Sequence, residues 1–188
     1  MKINTDCKYY MGNKPCTFHK IDGRKCEGCD DYLKVLNRIL IIKLDAMGDV
    51  LRTTSVLPAL HQKYPNAHIT WITKKNAKSL LDQNPYIDRL LCLEEYYLPF
   101  VLNEEFDVVI SLDPDPHSAS ILSIARSSCK QGFIANETGA VEPINTNAHE
   151  WYWMGLNDEL KVNNRKTYFE LIYQICELDL PIFKPQYS

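Results

Sequence analysis

The feature that most constrains the fold is a series of short apolar runs that alternate with segments of helical periodicity. The first run, residues 38–44, has four consecutive Ile and Leu residues between Arg38 and Lys43, a pattern typical of a strand buried on both faces of a parallel sheet. Further strands are expected at residues 68–73, 87–93, 106–112 and 130–135, and helices at residues 50–63, 76–83, 117–127 and 165–177. This alternation predicts an α/β fold with a doubly wound, Rossmann-like parallel sheet.

Two stretches depart from the regular pattern. Pro58 lies inside the helical segment 50–63 and removes one backbone hydrogen bond, so we expect a kinked helix there. Residues 136–164 have neither the strand nor the helix period and are predicted to be irregular. Within them, Trp151, Tyr152 and Trp153 are interpreted as packing residues, with stacking against a sugar as the alternative.

Four of the seven cysteines lie close to the amino terminus, at Cys7, Cys16, Cys26 and Cys29. A segment as short as residues 1–36 cannot bury enough apolar surface to hold its own fold. The Cys26-x2-Cys29 pair, with Gly28 in between, lets two sulfurs of one tight turn reach a single ion. We therefore predict a metal-binding head with a structural zinc ion at the four cysteines, iron being the alternative because a tetrahedral four-sulfur site suits both metals.

Two further conclusions follow from this cysteine pattern. Disulfides are a weaker alternative because a reducing compartment disfavours them. Four protein ligands leave no open position on the ion, so no catalytic metal is expected.

Cys92, Cys129 and Cys176 are interpreted as ordinary core or surface thiols, because nothing near them in the sequence would activate them.

The charge is unevenly distributed along the chain. The formal net charge is −3, but residues 1–37 hold seven basic and five acidic residues, which leaves +2 in this segment and −5 on the rest. Basic side chains around a four-thiolate zinc site would offset its negative charge. An acidic chain argues against a protein that neutralises nucleic-acid phosphates, and the eight- and nine-residue gaps between cysteines do not fit a compact nucleic-acid knuckle. No nucleic-acid partner is expected.

The sequence also bears on location. No stretch approaches the roughly 18 to 20 apolar residues of a membrane span. The polar first residues lack the apolar region of a signal peptide, so a cytoplasmic protein is expected. Peripheral contact with a membrane surface and assembly into a homo-oligomer are left open.

Two loops follow predicted strands at the edge where α/β sheets bind ligands. The first contains Asp45, Gly48 and Asp49, and the second contains Asp113 and His117 with another aspartate and two prolines. Neither G-x-G-x-x-G nor G-x-x-x-x-G-K-[ST] occurs in the chain, so dinucleotide and Walker-type phosphate sites are disfavoured.

Each loop has two interpretations. Asp49 is either the N-cap of the following helix or a general base that points into the crevice, and the two roles compete for the same carboxylate oxygens. The second loop is either a solvated turn or a stiff loop in which its prolines hold Asp113 and Asp115 near His117.

Several segments together resemble a known family. Residues 38–60, 64–69 and 84–88 resemble the N-terminal half of glycosyltransferase family 9, the heptosyltransferases that transfer heptose from ADP-heptose to lipopolysaccharide or protein. Residues 106–113 and the following pair Gly132 and Phe133 occur in the order typical of this family, so the resemblance covers residues 38–180. The cysteine-rich head lies outside the common family pattern.

This resemblance implies an inverting enzyme with two Rossmann domains, the GT-B architecture, in which Asp49 deprotonates the acceptor hydroxyl. It also implies an acceptor side formed by residues of the two loops and the helix after the first one. These residues are Asp45, Gly48, Arg52, Thr53, Asp113 and His117.

The domain organisation expected from the resemblance has three parts. Residues 1–36 form the metal-binding head, residues 37–180 the acceptor-side domain, and residues 181–188 the start of a linker to an absent C-terminal domain that holds the nucleotide-sugar donor. The chain is then a truncated enzyme or one half of a split one, inactive alone, whose acceptor is a glycan, a lipopolysaccharide or a protein. The alternatives are a catalytically silent, metal-stapled scaffold and, less favoured, a nucleotide-binding regulator.

Overall fold

The computed structural model describes residues 2–181. Within this range the chain alternates between strands and helices, with two short 3-10 helices at Thr54–Val56 and Lys75–Leu80. In chain order, the other elements are α1 (Thr17–Asp22), β1 (Asn37–Ile42), α2 (Met47–Thr53), α3 (Leu57–Lys63), β2 (Ala67–Thr73), β3 (Arg89–Cys92), α4 (Leu98–Asn103), β4 (Glu105–Ser111), α5 (Pro116–Ile124), β5 (Arg126–Ala135), β6 (Val141–Pro143), α6 (Thr146–Leu156), α7 (Asp158–Asn163) and α8 (Tyr168–Ile175).

The strands form one sheet in the order β3-β2-β1-β4-β5-β6. The first five strands in this order pair in parallel, and β6 pairs antiparallel with β5. The predicted α/β fold with a doubly wound, Rossmann-like sheet is confirmed, with an antiparallel edge strand that the sequence did not indicate. The strand order reverses between β1 and β4, and this switch point is where sheets of this kind bind ligands.

The core lies on both faces of the sheet. Ile39 and Ile41 of β1 pack on one face with α2, α3 and α8, while Leu40 and Ile42 pack on the other with α4 and α5. All four side chains are fully buried. The continuous apolar run is therefore explained by burial of alternate residues on opposite sides, as expected of a central parallel strand.

The helix predicted at residues 50–63 is divided as expected near its proline. A 3-10 turn at Thr54–Val56 separates α2 from α3, and Pro58 lies in the first turn of α3, where its missing N–H is not needed. The helix predicted at residues 76–83 is instead the 3-10 helix Lys75–Leu80.

The prediction that residues 136–164 are irregular is wrong. They contain β6, α6 and α7. Only Ala148 of α6 is fully buried, and α7 buries no residue, so neither helix has the apolar stripe that a periodicity search detects. The asparagine before α7 supplies the signal that was missed, because the Asn157 side chain accepts hydrogen bonds from the N–H groups of Glu159 and Leu160. The short helices α1 and α4 were also missed.

Residues 2–36 form a small head beside the sheet. Its N-terminal strand-like segment joins residues 33–35 through backbone hydrogen bonds, including an isolated bridge between Cys7 and Lys34. The Lys8 ammonium contacts the carbonyl of Ala67 at 3.0 Å and the carboxylate of Asp88 at 3.3 Å. Ala67 begins β2, and Asp88 directly precedes β3. The head therefore lies at the amino edge of the parallel strands.

Two further predictions concern membrane spans and the C-terminal linker. None of the helices within residues 2–181 is both long and apolar enough to span a membrane. The predicted linker at residues 181–188 lies, apart from its first residue, outside the described residues.

Candidate active site at the carboxyl edge of the sheet

The loops that follow β1 and β4 meet at the carboxyl edge of the sheet. They are brought together by the parallel pairing of these two strands, which continues as a hydrogen bond of 3.0 Å from the Leu112 N–H to the Ile42 carbonyl. Residues 43–49 and 112–118 therefore line the switch point, the position at which sequence reasoning expected a ligand.

A buried ion pair joins the two loops. Lys43 is 2% exposed and Asp113 is 7% exposed, and the Lys43 ammonium contacts both the Asp113 carboxylate and the carbonyl of Asp45. The other carboxylate oxygen of Asp113 accepts a hydrogen bond of 2.5 Å from the Leu44 N–H and one of 3.4 Å from the Ser118 hydroxyl. Burial raises the pKa of Asp113, against the opposite influence of Lys43 and the Leu44 N–H. The Asp113 oxygens are thus occupied by donors of the chain itself.

Only one of the two carboxylates expected near His117 lies beside it. Asp115 is the N-cap of α5 and accepts hydrogen bonds from the N–H groups of His117, at 2.9 Å, and Ser118, at 3.5 Å. The His117 side chain is 74% exposed, with Nδ1 3.4 Å from the Asp115 carboxylate. Asp113 faces Lys43 instead. His117 is therefore an exposed group at the rim of the site.

Asp49 does not cap α2. The N-cap is Ala46, so Asp49 lies in the first helical turn, where a carboxylate interacts favourably with the unpaired N–H groups of the helix end. Its carboxylate pairs with the Arg52 guanidinium and keeps a side-chain exposure of 33%. The interpretation of Asp49 as an N-cap is wrong, and its carboxylate is not consumed by the helix terminus. Beside it, a Cβ placed on Gly48 would meet no atom within 4 Å, so the space around Gly48 is open.

An aromatic platform supports the Asp49–Arg52 pair. The Arg52 guanidinium lies 4.1 Å from the centre of the Tyr168 ring, and the Trp151 ring packs edge-on against Tyr168 at 5.2 Å. The Thr53 hydroxyl donates to the Asp49 carbonyl at 2.7 Å and lies 2.9 Å from the Tyr168 hydroxyl. Burial raises the pKa of Tyr168, so this phenol stays neutral. Thr53 is fully buried, beneath the site rather than on its surface.

A second exposed ion pair adds to the rim. Asp45 follows β1 by three residues, and its carboxylate pairs with the ammonium of Lys74, which directly follows β2. The hydrogen bond that Lys74 donates to the Asp45 carboxylate raises the pKa of Lys74. The carboxyl edge therefore presents a mixed-charge surface built from three adjacent strands.

Sequence reasoning missed Lys43, Lys74, Ser118 and Tyr168. For Lys43 a signal existed, because a lysine within a strand buried on both faces requires a buried counter-charge. Tyr168 gave no local signal, since it contacts Asp49 across 119 positions of the sequence.

The four cysteines of the head are half-buried free thiols that line one cavity of about 350 Å³. Within residues 2–181, no group of three or more histidine, cysteine or acidic side chains forms a metal site as it stands. Cys92 and Cys176 are buried and Cys129 is half-buried. Burial raises the pKa of Cys176 to about 12, so it is an unreactive core thiol.

Comparison with known proteins gives a fold likeness. No model of a known protein family matches the sequence, and no curated protein sequence matches it significantly. The structure is similar to E. coli heptosyltransferase WaaC with ADP, at 15% identity and a TM-score of 0.54, over 80% of this chain and 49% of that one. It is also similar to WaaC with ADP-2-deoxy-2-fluoro heptose, at 13% identity and a TM-score of 0.52, over 78% of this chain and 50% of that one.

A third match is a glycosyltransferase of family 9 from Veillonella parvula, at 23% identity and a TM-score of 0.47, over 51% of this chain and 31% of that one. The chain spans about half the length of the two WaaC structures. The two WaaC matches show a fold shared between this chain and about half of a heptosyltransferase, and fold alone does not fix a reaction.

Proposed function

We propose that the chain is the acceptor-binding side of an inverting glycosyltransferase that uses a nucleotide-sugar donor of the ADP-heptose type. The fold shared with WaaC supports the glycosyltransferase class. The single observation that carries the proposal is the half-exposed Asp49 carboxylate at the switch point of the sheet, held by Arg52 on the Tyr168 ring. A carboxylate in this position suits a base that faces a bound hydroxyl group.

Asp49 acts as the general base in the proposed reaction. Its carboxylate takes the proton of the acceptor hydroxyl while that oxygen forms a bond to the anomeric carbon of the donor sugar. The bond from this carbon to the diphosphate oxygen breaks on the opposite face, and the nucleoside diphosphate leaves with the electron pair. The anomeric configuration is inverted and no covalent enzyme intermediate forms. Arg52 limits the carboxylate to one orientation, so the contribution of Asp49 combines positioning with proton transfer.

The residues around Asp49 have different roles in acceptor binding. Asp45, Arg52 and His117 are exposed at the rim and hydrogen-bond polar groups of a glycan, lipopolysaccharide or protein acceptor. Gly48 leaves open space for the sugar ring.

Two residues of the predicted acceptor set are buried and support the acceptor surface from inside the protein. Asp113 holds the second loop against the first through Lys43, and Thr53 holds α2 against α8 through Tyr168. Both therefore fix the shape of the acceptor surface.

The remaining partners also belong to the proposal. The donor nucleotide is bound mainly by a second α/β domain. The enzyme works in the cytoplasm, and the acceptor brings it to a membrane surface when that acceptor is a lipopolysaccharide.

The test is a transfer assay with the native protein that contains this chain, isolated from its own cells through an affinity tag. ADP-heptose and a lipopolysaccharide truncated to its inner core are the substrates, with an acceptor-free reaction as the control. We expect an acceptor that gains one heptose with inverted anomeric configuration, read by mass spectrometry and NMR. Retention of configuration would contradict the mechanism. A protein that transfers no sugar from any ADP-sugar, although it is folded, would favour the silent scaffold.

A further inference from the structure

We propose that Cys7, Cys16, Cys26 and Cys29 bind one zinc ion as four thiolates, and that this ion holds the head, residues 2–36, in its fold. The site is structural and does not rest on the proposed glycosyltransferase function.

The head has no hydrophobic core. No side chain between residues 2 and 36 is fully buried, whereas the buried core of the described chain runs from Ile39 to Leu178. Its helix α1 has six residues, too few to be stable by itself, and its strand pairing is a single isolated bridge. A segment of this size without a core requires a cross-link or a metal to stay folded.

The four cysteines are brought to one place by different backbone features. The Cys29 N–H donates to the Cys26 carbonyl at 3.4 Å across a turn in which Gly28 has a φ of +72°, so two cysteines share one tight turn. Cys16 precedes α1 as its N-cap residue, and Cys7 forms the bridge with Lys34. All four line the same cavity of about 350 Å³.

The surroundings of this cavity favour a bound ion over an empty space. Lys14 and Lys25 line the same cavity and offset part of the net negative charge of zinc with four thiolates, while Arg24, also on the lining, pairs with Asp22 and Asp31. Among the described residues the four thiols are not arranged around one point, so the proposal requires them to converge when the ion binds. No fully buried side chain of the head opposes this movement.

The position of the head separates this site from the proposed chemistry. Lys8 attaches the head to Ala67 and Asp88 at the amino edge of the sheet, while Asp49 lies at the carboxyl edge. An ion with four protein ligands also has no open position for a substrate. The zinc ion therefore stabilises the head and takes no part in sugar transfer.

The test measures metal in the 188-residue chain purified without chelators. We expect about one zinc per chain in the wild type, and less than about half an ion per chain in Cys26→Ser. Cys129→Ser is the matched control, since Cys129 is also a half-buried free thiol but lies outside the head. It should retain the full zinc content.

A second measurement keeps the proposal falsifiable if Cys26→Ser fails to fold. Cobalt added to the wild-type chain after zinc removal should give the absorption spectrum of tetrahedral thiolate coordination. A wild-type chain whose head is folded by NMR but holds neither zinc nor iron would overturn the proposal, as would disulfides among the four cysteines in protein prepared under reducing conditions. Iron at one ion per chain would support the four-thiolate site and overturn zinc as its occupant.

Discussion

The hydroxyl oxygens of Thr53 and Tyr168 lie 2.9 Å apart and join the helix that carries Asp49 to the last helix of the described chain. The Tyr168 hydroxyl also donates to the Asp49 carbonyl at 3.3 Å, and its ring lies beneath Arg52. Because Arg52 pairs with the Asp49 carboxylate, both the backbone and the side chain of the proposed base depend on α8. Tyr168 is thus a positioning residue.

Replacing Tyr168 by phenylalanine should impair positioning without removing the platform for Arg52. The variant keeps the ring and loses the hydroxyl bonds to Thr53 and Asp49, so we expect kcat to fall about tenfold with little change in KM, and stability to fall by about 1 kcal/mol. Tyr173→Phe is the matched control on the same helix, because its hydroxyl donates to the Ser55 carbonyl at 2.7 Å. It should lose similar stability and keep kcat. Equal effects of both variants on kcat would rule out a specific role for Tyr168.

The buried pair of Lys43 and Asp113 should respond differently to single and double replacement. Asp113→Asn leaves the Lys43 ammonium buried without its counter-charge, so the free energy of unfolding should fall by about 3 kcal/mol or more. The double variant Lys43→Met with Asp113→Leu removes both charges and should recover most of this loss. Urea denaturation measures both. A double variant less stable than Asp113→Asn would show that the pair contributes more than mutual charge compensation.

Gly132 should not tolerate a side chain. It has a φ of +93°, and a Cβ there would lie 1.8 Å from the Ser111 carbonyl oxygen on the neighbouring strand β4. Gly132→Ala should therefore cost more than about 3 kcal/mol of stability through strain and steric overlap. Gly155→Ala is the control, since Gly155 is helical with open space around it, and this change should raise stability by about 0.5 to 1 kcal/mol. A thermal midpoint for Gly132→Ala equal to that of the wild type would contradict this packing.

His68 should make the protein less stable below neutral pH. Burial lowers the pKa of His68, and Arg89 and Arg38 act in the same direction against Asp88 and Glu104. As the pH falls below the unfolded value of about 6.5, the unfolded chain takes up a proton that the folded chain does not. The free energy of unfolding should therefore decrease from this pH down to the folded pKa, with a slope of at most about 1.4 kcal/mol per pH unit from this group.

Urea denaturation at a series of pH values checks this slope. His68→Gln should reduce the slope. An identical slope in the wild type and His68→Gln would assign the acid sensitivity to other groups.

The fold was largely predictable because buried positions of strands and helices are occupied by apolar residues in a recognisable pattern. The run at residues 39–42 indicated a strand covered on both faces, and that strand is the centre of the sheet. Helices α6 and α7 have no such apolar pattern because the two helices together bury only Ala148. The order of the strands and the antiparallel β6 depend on pairing between distant segments, which local periodicity does not record.

The position of the two predicted segments at the carboxyl edge of the sheet was predictable, but the contacts of their side chains were not. Gly48 and Asp49 after a buried strand indicated where the chain leaves the sheet, although both residues lie in the first turn of α2 rather than in a loop. The partner of Asp113 was not recognised, although Lys43 adjoins the apolar run. Tyr168 contacts Arg52 and Thr53 only through the tertiary fold, so no pattern in the sequence indicates these contacts.

The most direct test of the account is the kcat of Asp49→Asn in the native protein, at saturating ADP-heptose and acceptor. Asparagine keeps the size of the side chain and cannot take a proton, so kcat should fall about 10²- to 10⁴-fold. The thermal midpoint should fall only slightly, because the pair with Arg52 that is lost is partly exposed. Asp158→Asn, at an exposed position in α7, should transfer sugar at the wild-type rate. A wild-type kcat for Asp49→Asn would contradict the assignment of Asp49 as the base.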